Sequence, residues 1–342
     1  MLIEIGTPAI LPLGLVKVQQ TTGDKLCLLG LTVQHPPVNL FVQQHPSRLN
    51  ITGARADVGY EAANRFFAHY QKPARAQVEI ETTIPAFMGL ESTTLMKLAM
   101  VQGLSWLSDL PHDQGAADGY AQLLGLTARD GLALAAFKQG GLLLVDMANG
   151  EVVQRLAITH EQDREAWSLV LFFPRTPPDI DPNFEALQYA ALQQAAASVS
   201  EKTGDLVTRD MKKAVQLRDE VAFGQALQLL QQTTNQALAQ AGRLVELTAE
   251  EQGVIEVMRH SGAIAWGRSA TGLALFGLIK GADASRQLRA AVMKQVGYFG
   301  GLVMATITDN EGSRLVVKQA DLNDNKLPPV RVRPDLLKGG RS

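Results

Sequence analysis

Ile84–Met100, IPAFMGLESTTLMKLAM, sets a glycine, a carboxylate and three consecutive hydroxyl residues at the mouth of an apolar-periodic helix. The first N–H groups of a helix lack partners within it, and its dipole favours negative charge there. Gly89, Ser92, Thr93 and Thr94 therefore read as an anion site of the kind that holds a phosphate. Glu91 conflicts with that reading, because a phosphate would want a neutral glycine. It serves either as a first-turn acid complementing the dipole or as a charge that repels phosphate or binds Mg²⁺ or a cationic ligand. The three hydroxyls are equally open to service as helix caps.

Gly267-Arg268-Ser269 is a second candidate, a Gly/Ser loop ahead of a run that reads as a helix. Arg268 there either neutralises a ligand phosphate or pairs with Glu91 across a cleft. Asp130 is a turn or helix-cap acid or else a site carboxylate, and the adjacent Arg129 reads as surface charge. Lys97 lies well past the first turn of its helix and reads as a surface or cleft-rim charge ahead of a phosphate contact. The six histidines are scattered without an H-x3-H pattern and a supporting acid, so no metal site is expected. Only His112-Asp113 merits attention as a pair. Cys27, the one cysteine, lies in an apolar run and reads as a core side chain, with no internal disulfide possible.

The scaffold that must position these residues mixes strands and helices. Leu2–Ile5, Leu15–Gln20, Leu26–Val33 and Val38–Gln43 read as short strands between Pro, Gly and Asp punctuation. Val58, Ala62, Phe66 and Tyr70 recur every four residues and predict a helix over Ala56–Tyr70. Gln77–Thr82 is a strand feeding the Pro85–Gly89 turn, and a helix runs from Glu91 to about Leu107. A shorter helix is expected around Ala116–Leu124, then strands Leu132–Phe137 and Gly141–Asp146. After the polar segment His160–Glu165, Trp167–Phe173 reads as a buried strand. Asn183–Arg259 is helical in pattern, its glutamines interleaved with Leu227, Leu230 and Leu238 at helical spacing. Ala263–Trp266 reads as a strand, Ala270–Lys280 and Ala284–Val296 as helices, and Leu302–Ile307 and Leu315–Lys318 as a closing strand pair.

At 342 residues the chain suits two domains, 1–165 and 166–325, with a Pro-rich basic tail, 326–342. Its hydrophobic content of 46% and net charge of -2 describe an ordinary soluble protein with no basic excess for nucleic acid. No apolar stretch reaches the ~18 residues of a membrane-spanning helix. The first residues include Glu4 and no basic start, unlike a signal peptide, so a cytoplasmic location is expected.

Four stretches in order carry a resemblance. IPAFMGLESTTLMKLA resembles the phosphate loop of the GHMP kinase superfamily, a Pro-x-x-x-Gly-Leu-Gly-Ser-Ser-type run. TPAILPLGL is similar to a Pro-Ala-Arg-Leu-His-x-Gly-Leu opening, and Leu123–Asp146 to a segment of one branch. Ala265–Ile279, AWGRSATGLALFGLI, resembles that branch's Gly-Gln-Ser-Ser-Trp-Gly-Pro-type loop through Gly267, Ser269 and Gly272. The branch is the beta-ribofuranosylaminobenzene 5'-phosphate synthases, and the resemblance covers nearly the whole chain.

What it implies is an α+β fold of GHMP kinase type, a ribosomal-S5-domain-2-like N-terminal domain plus a ferredoxin-like C-terminal domain with the site between them. The implied reaction joins an aromatic acid, 4-aminobenzoate, to phosphoribosyl pyrophosphate with loss of carbon dioxide and pyrophosphate, in methanopterin-type coenzyme synthesis. Ser92, Thr93, Thr94, Arg268 and Ser269 would contact the anion, Asp130 would assist, and Mg²⁺ would accompany the pyrophosphate. A small molecule is the expected partner, and a homodimer is compatible with the reading. The chain departs from the pattern at Glu91 and Thr93, at Ile10 and Pro12 (family Arg and His), and at Arg268, Thr271 and Leu273. Ile10 supplies no cation and Pro12 relays no proton. Two alternatives follow. An ATP-using small-molecule kinase would want a carboxylate where the Ser-Gly-x-Asp element aligns with Ala133. A catalytically silent relative would keep the fold to bind a ligand or a partner.

Overall fold

A computed structural model describes residues 1–318 apart from 22, 111–115, 160–164 and 298. His112-Asp113, most of the polar segment before Trp167 and the basic tail lie outside the described residues.

The first sheet is built around two long strands, β1 (Leu2–Val18) and β2 (Lys25–Gln44), antiparallel over nearly their whole length. The sequence breaks each into two short strands at Pro and Gly. In the structure the chain runs through, with register shifts between Thr7 and Ala9 and between Pro12 and Gly14. Bulges of this kind accommodate a proline that has no N–H for the ladder. β3 (Asn50–Gly53), β4 (Ala76–Thr82), β5 (Leu142–Asp146) and β6 (Val152–Leu156) extend the sheet. Two of its helices are amphipathic or apolar as the periodicity predicts, α1 (Ala56–His69) and α2 (Ser92–Leu107). Most residues of α2 are buried on all sides, which suits a helix running through a core. α3 (Ala116–Leu124) follows, and then α4 (Gly131–Gln139).

α4 occupies the run that the sequence predicts as the strand Leu132–Phe137. A short apolar run cannot distinguish buried helix from strand. Here the Thr127–Asp130 capping box starts a helix, and alanines continue it. Ile10 of β1 is fully buried in a cluster with Leu132 and Ala136 of α4, while Leu11 and Leu13 face the main core. β1 is thus covered on both faces, which explains its near-continuous apolar sequence.

The second sheet has the order β10-β7-β9-β8, all antiparallel: β7 (Trp167–Phe173), β8 (Ala265–Arg268), β9 (Leu275–Lys280) and β10 (Leu302–Ile307). β9 lies within the run expected to be the helix Ala270–Lys280. Its apolar residues are buried between β7 and β8, so no polar face was needed. Between β7 and β8 run α5 (Phe184–Gln194), α6 (Lys202–Asp205), a π-helical stretch Leu206–Met211, α7 (Lys212–Leu217), the long α8 (Glu220–Gln240) and α9 (Ala249–His260). α10 (Ala282–Val296) joins α9 over the second sheet through Val254, Met258, Leu288 and Val292. The closing strand β11 (Arg314–Lys318) returns to pair with β1, so the chain past 165 contributes to the first sheet as well. Buried contacts tie the two halves together: Thr234 of α8 accepts from Leu15 N at 3.0 Å. Cys27 is buried in β2, and burial pushes its thiol up to about 12, as befits a core side chain.

Candidate functional site

The Gly89 turn is built on three residues at positive φ, Phe87 (65°), Gly89 (66°) and Glu91 (57°). Alternation of this sort turns successive backbone N–H groups into a concavity that suits an anion. Glu91 is the residue preceding α2, and its side chain makes no capping hydrogen bond. The motif that the sequence resembles has glycine here, and the backbone has a glycine-like conformation although a glutamate fills it.

The sequence segments converge on this turn. Ser269 Oγ donates to Gly89 O at 2.8 Å, and Leu273 N and Ala274 N donate to Phe87 O and Met88 O at 3.0 and 3.2 Å. Gly272 lies so close to the Gly89 backbone that a Cβ on either glycine would collide with the other. Pro12 O of the opening motif accepts from Ala270 N at 2.9 Å. Thr94 Oγ1 donates to Asp130 Oδ1 at 2.7 Å. The turn therefore packs at the junction of the two sheets.

An anion already sits in the mouth, and it comes from the chain itself. Gly89 N donates to Glu185 Oε1 of α5 at 3.0 Å. Below it, Arg55 Nη1 donates to Ser92 Oγ at 2.5 Å and Nη2 to Thr93 Oγ1 at 2.6 Å. The positive charges of Arg55 and Arg129 stabilise the Glu185 carboxylate, but burial outweighs them and leaves its pKa raised. Burial likewise lowers that of Arg55, with Glu185 and Asp57 opposing.

Glu91 is the most perturbed member. Burial, then the charge of Glu185, pushes its carboxyl up to about 8, while Arg129 pulls the other way. The protonated form is thus favoured well above the usual carboxylate range, which eases the conflict between a carboxylate and an anion site. A neutral carboxyl donates to an anion; it does not repel one. Burial also holds Tyr189, one turn beyond Glu185, at about 12.

Several expected roles need correction. Arg268 does not reach the mouth and does not pair with Glu91. Its Nη2 lies 3.4 Å from Glu251 Oε1 and its Nη1 donates to Val245 O at 3.0 Å. Gly267 faces Gln231, whose amide donates to Leu13 O. Arg268 and Gly267 line a neighbouring cavity instead, because β8 turns that edge toward α8 and α9. Asp130 lies at the mouth, but both oxygens are engaged, Oδ1 by Thr94 and Oδ2 by Thr127 N at 3.0 Å. Ile10 and Pro12 are packed in the core, so the departures from the family pattern there are aliphatic packing. Lys97 pairs with Glu61 of α1 at 2.8 Å. Arg55 and Glu185 are the mouth residues the sequence missed, while Arg129 is exposed, as its reading as surface charge expects, and acts on Glu91 and Glu185 through its charge. Arg55 alone carried a signal, a Gly53-Ala54-Arg55 turn opening a helix just as the Gly89 turn does.

No protein-family model matches the chain, and no curated protein matches it. Solved structures do. The mevalonate kinase of L. major, in complex with R-mevalonate, has a TM-score of 0.64 at 14% identity, covering 90% of this chain and 96% of that one. A 4-(cytidine 5'-diphospho)-2C-methyl-D-erythritol kinase has a TM-score of 0.61 at 22% identity, covering 90% and 100%. The homoserine kinase of Cytophaga hutchinsonii has a TM-score of 0.57 at 15% identity, covering 92% and 97%. At these identities the likeness is one of fold: the chain has the α+β, GHMP kinase-type architecture across most of its length. Among the described residues no helix is long and apolar enough to cross a membrane, and no cluster of three metal-ligating side chains occurs.

Proposed function

We propose that the protein uses the Gly89 mouth to hold the phosphate groups of a phosphorylated sugar, in a reaction like that of the beta-ribofuranosylaminobenzene 5'-phosphate synthases. An aromatic acid such as 4-aminobenzoate would be joined to phosphoribosyl pyrophosphate, with release of carbon dioxide and pyrophosphate. The observation that carries the anion-binding part is Glu185 on Gly89 N–H: the mouth already selects a carboxylate, and a phosphate oxygen offers the same acceptor with more charge. The synthase chemistry rests on the order of the four sequence motifs.

In this reading a substrate phosphate displaces Glu185 and accepts from Gly89 N–H. Arg55, already held on Ser92 and Thr93, supplies the countercharge. Glu91, whose carboxyl burial pushes up to about 8, is suited to give its proton to the departing pyrophosphate as the sugar C–O bond breaks. Mg²⁺ fits as a companion of the diphosphate rather than as a resident ion, because Asp130 is spent on its helix cap.

A second reading, an ATP-dependent small-molecule kinase, draws on the kinase descriptions of the fold's neighbours. Against it, Ala133 stands fully buried where the kinase carboxylate aligns. The deciding experiment measures the protein's thermal stability, and product formation, with phosphoribosyl pyrophosphate plus Mg²⁺ and with ATP plus Mg²⁺. At ~100 times its dissociation constant a ligand stabilises by ~2.7 kcal/mol. A clear shift with the sugar and pyrophosphate release with 4-aminobenzoate support the synthase. ADP formation with a small alcohol would replace it by the kinase, and no shift with either ligand would leave a silent relative.

A further inference from the structure

We infer that the cavity beside the mouth is a second ligand site, shaped for a neutral aromatic molecule of two fused rings. It encloses about 270 Å³ between α5, α8, the segment ahead of α9, and β8. Packed interiors leave few voids larger than a water molecule, so a gap of this size is a site and not a packing defect. An apolar cavity of ~150 Å³ takes one benzene, which makes this one wide enough for a fused pair of rings. Ser269 and Gly272 form the wall that it shares with the mouth. Binding here does not depend on the anion-site reading.

The cavity lies where three hydrophobic clusters meet without closing on one another. Phe184 of α5 packs against the main core, and Leu244 against the cluster of Ile10 and Leu132. Leu247, Ile255 and Trp266 pack against the cluster over the second sheet. All five line the cavity and are half-buried, so apolar surface that the fold leaves uncovered borders the gap. Covering that surface is what drives an apolar ligand to bind. Phe184 and Trp266 come from different elements and present two aromatic rings, which favours an aromatic ligand over an aliphatic one. Gln232, Asn235, Val245 and Glu246 are exposed and form the rim by which a ligand enters.

The polar side chains of the buried wall select for neutrality, because they are already engaged. Gln231 accepts from Arg268 N at 3.3 Å and donates to Leu13 O. Thr234 accepts from Leu15 N at 3.0 Å, and Ser269 donates to Gly89 O at 2.8 Å. Gln228 accepts from Trp266 N at 3.0 Å. Arg268, the cation of the lining, directs its Nη groups to Val245 O at 3.0 Å and to Glu251 at 3.4 Å. An ion carried inward would give up its water and meet no countercharge free to replace it. A single ring N–H turned to the rim keeps its water and is tolerated.

Indole, phenol and indole-3-acetate test this on the full chain by calorimetry at neutral pH, where the acid is ionised. Indole is expected to bind on the order of 10-fold tighter than phenol, whose single ring covers less of the wall, and at least as tightly as indole-3-acetate. In heteronuclear NMR spectra indole should shift the side-chain N–H signal of Trp266 and leave those of Trp106 and Trp167 in place. Leu244→Trp fills the gap from within and should weaken indole by about 10-fold or more, with the melting temperature kept or raised. Should the larger side chain disturb its loop, Ile255→Ala on α9 is the second arm, a loss of wall that should weaken indole several-fold. Saturating pyrophosphate should leave indole affinity within about 2-fold, as expected of uncoupled sites, which separates failure of this site from failure of the anion site. No saturable indole binding, no shift at Trp266, affinity unmoved by both variants, tighter binding of phenol or indole-3-acetate, or displacement by pyrophosphate would overturn the inference.

Discussion

Removing the Glu185 side chain should make the mouth a better anion site. In the native protein any phosphate must first expel that carboxylate from Gly89 N–H, to which it is bonded at 3.0 Å. A hydrogen bond to a charged group is worth ~1.5–3 kcal/mol. Burial raises the Glu185 pKa despite Arg55 and Arg129, so the carboxylate is imperfectly compensated and the lower end of that range applies. About 1.4 kcal/mol corresponds to ~10-fold in affinity. Glu185→Ala should therefore bind pyrophosphate about 10-fold more tightly than the native protein at neutral pH. Glu185→Gln should fall between, since its amide oxygen still accepts from Gly89 but carries no charge. Titration calorimetry on all three, with cooperative melting as the check on folding, gives the answer. Without ligand, Glu185→Ala should melt lower, because an unsatisfied Gly89 N–H costs ~1–3 kcal/mol, and pyrophosphate should restore the loss. Equal or weaker binding by a folded Glu185→Ala protein would refute the plug and make Glu185 a contributor to the ligand site.

Glu91 titrates near 4.5 when unfolded and at about 8 when folded. The native state holds the proton more tightly, so this stability is fully present below about 4.5, is lost as pH rises toward about 8, and is then level; urea midpoints for Glu91→Gln should lack that decline, and parallel curves would show that Glu91 is not the group. Glu91→Gly should relieve the positive-φ strain and melt higher at pH 8, by up to ~1 kcal/mol, whereas a drop would mean that the side chain holds the turn. Gly272→Ala drives a Cβ into the Gly89 backbone and should cost ~3 kcal/mol or more in thermal denaturation, together with pyrophosphate affinity. Thr234→Val strands the buried Leu15 N–H and should cost ~1–3 kcal/mol, read as a lower melting temperature with anion affinity retained.

What the sequence revealed of this site was what is local. The turn-to-helix junction at Gly89 announced itself through hydroxyls, glycine and apolar periodicity, and Ser269 and Gly272 came with the late loop. Glu91 was visible as an anomaly, but its resolution was not, because a pKa is set by burial and by Glu185, 94 positions along the chain. Glu185 itself had no signature, being one first-turn acid of a helix whose contact with the mouth exists only in the fold. Arg268 shows the converse error. A cation in a Gly/Ser loop suggested a phosphate, yet strand alternation sends its side chain to the cavity while Ser269, one residue later, touches Gly89. At the level of elements, the long strands were cut at prolines that bulges absorb. α4 and β9 were exchanged in type because apolar runs buried on every side carry no period.

The two carboxylates also cannot be treated separately, and their coupling gives a sharper test than affinity alone. The charge of Glu185 is the second cause, after burial, of the raised Glu91 pKa. When an anion displaces Glu185 in the native protein, one negative neighbour replaces another and the Glu91 proton has little reason to move. In Glu185→Ala the free mouth has lost that neighbour, so Glu91 starts with a lower pKa and is more fully ionised near pH 8. The arriving pyrophosphate then raises it again, and Glu91 must take up a proton. Binding enthalpies measured in buffers of different ionisation heat should therefore show clear proton uptake in Glu185→Ala, little in the native protein, and none through this group in the Glu91→Gln/Glu185→Ala double variant. Equal uptake in all three would mean that Glu91 and Glu185 do not sense the same charge, and the neutral-carboxyl account of the mouth would fail with it.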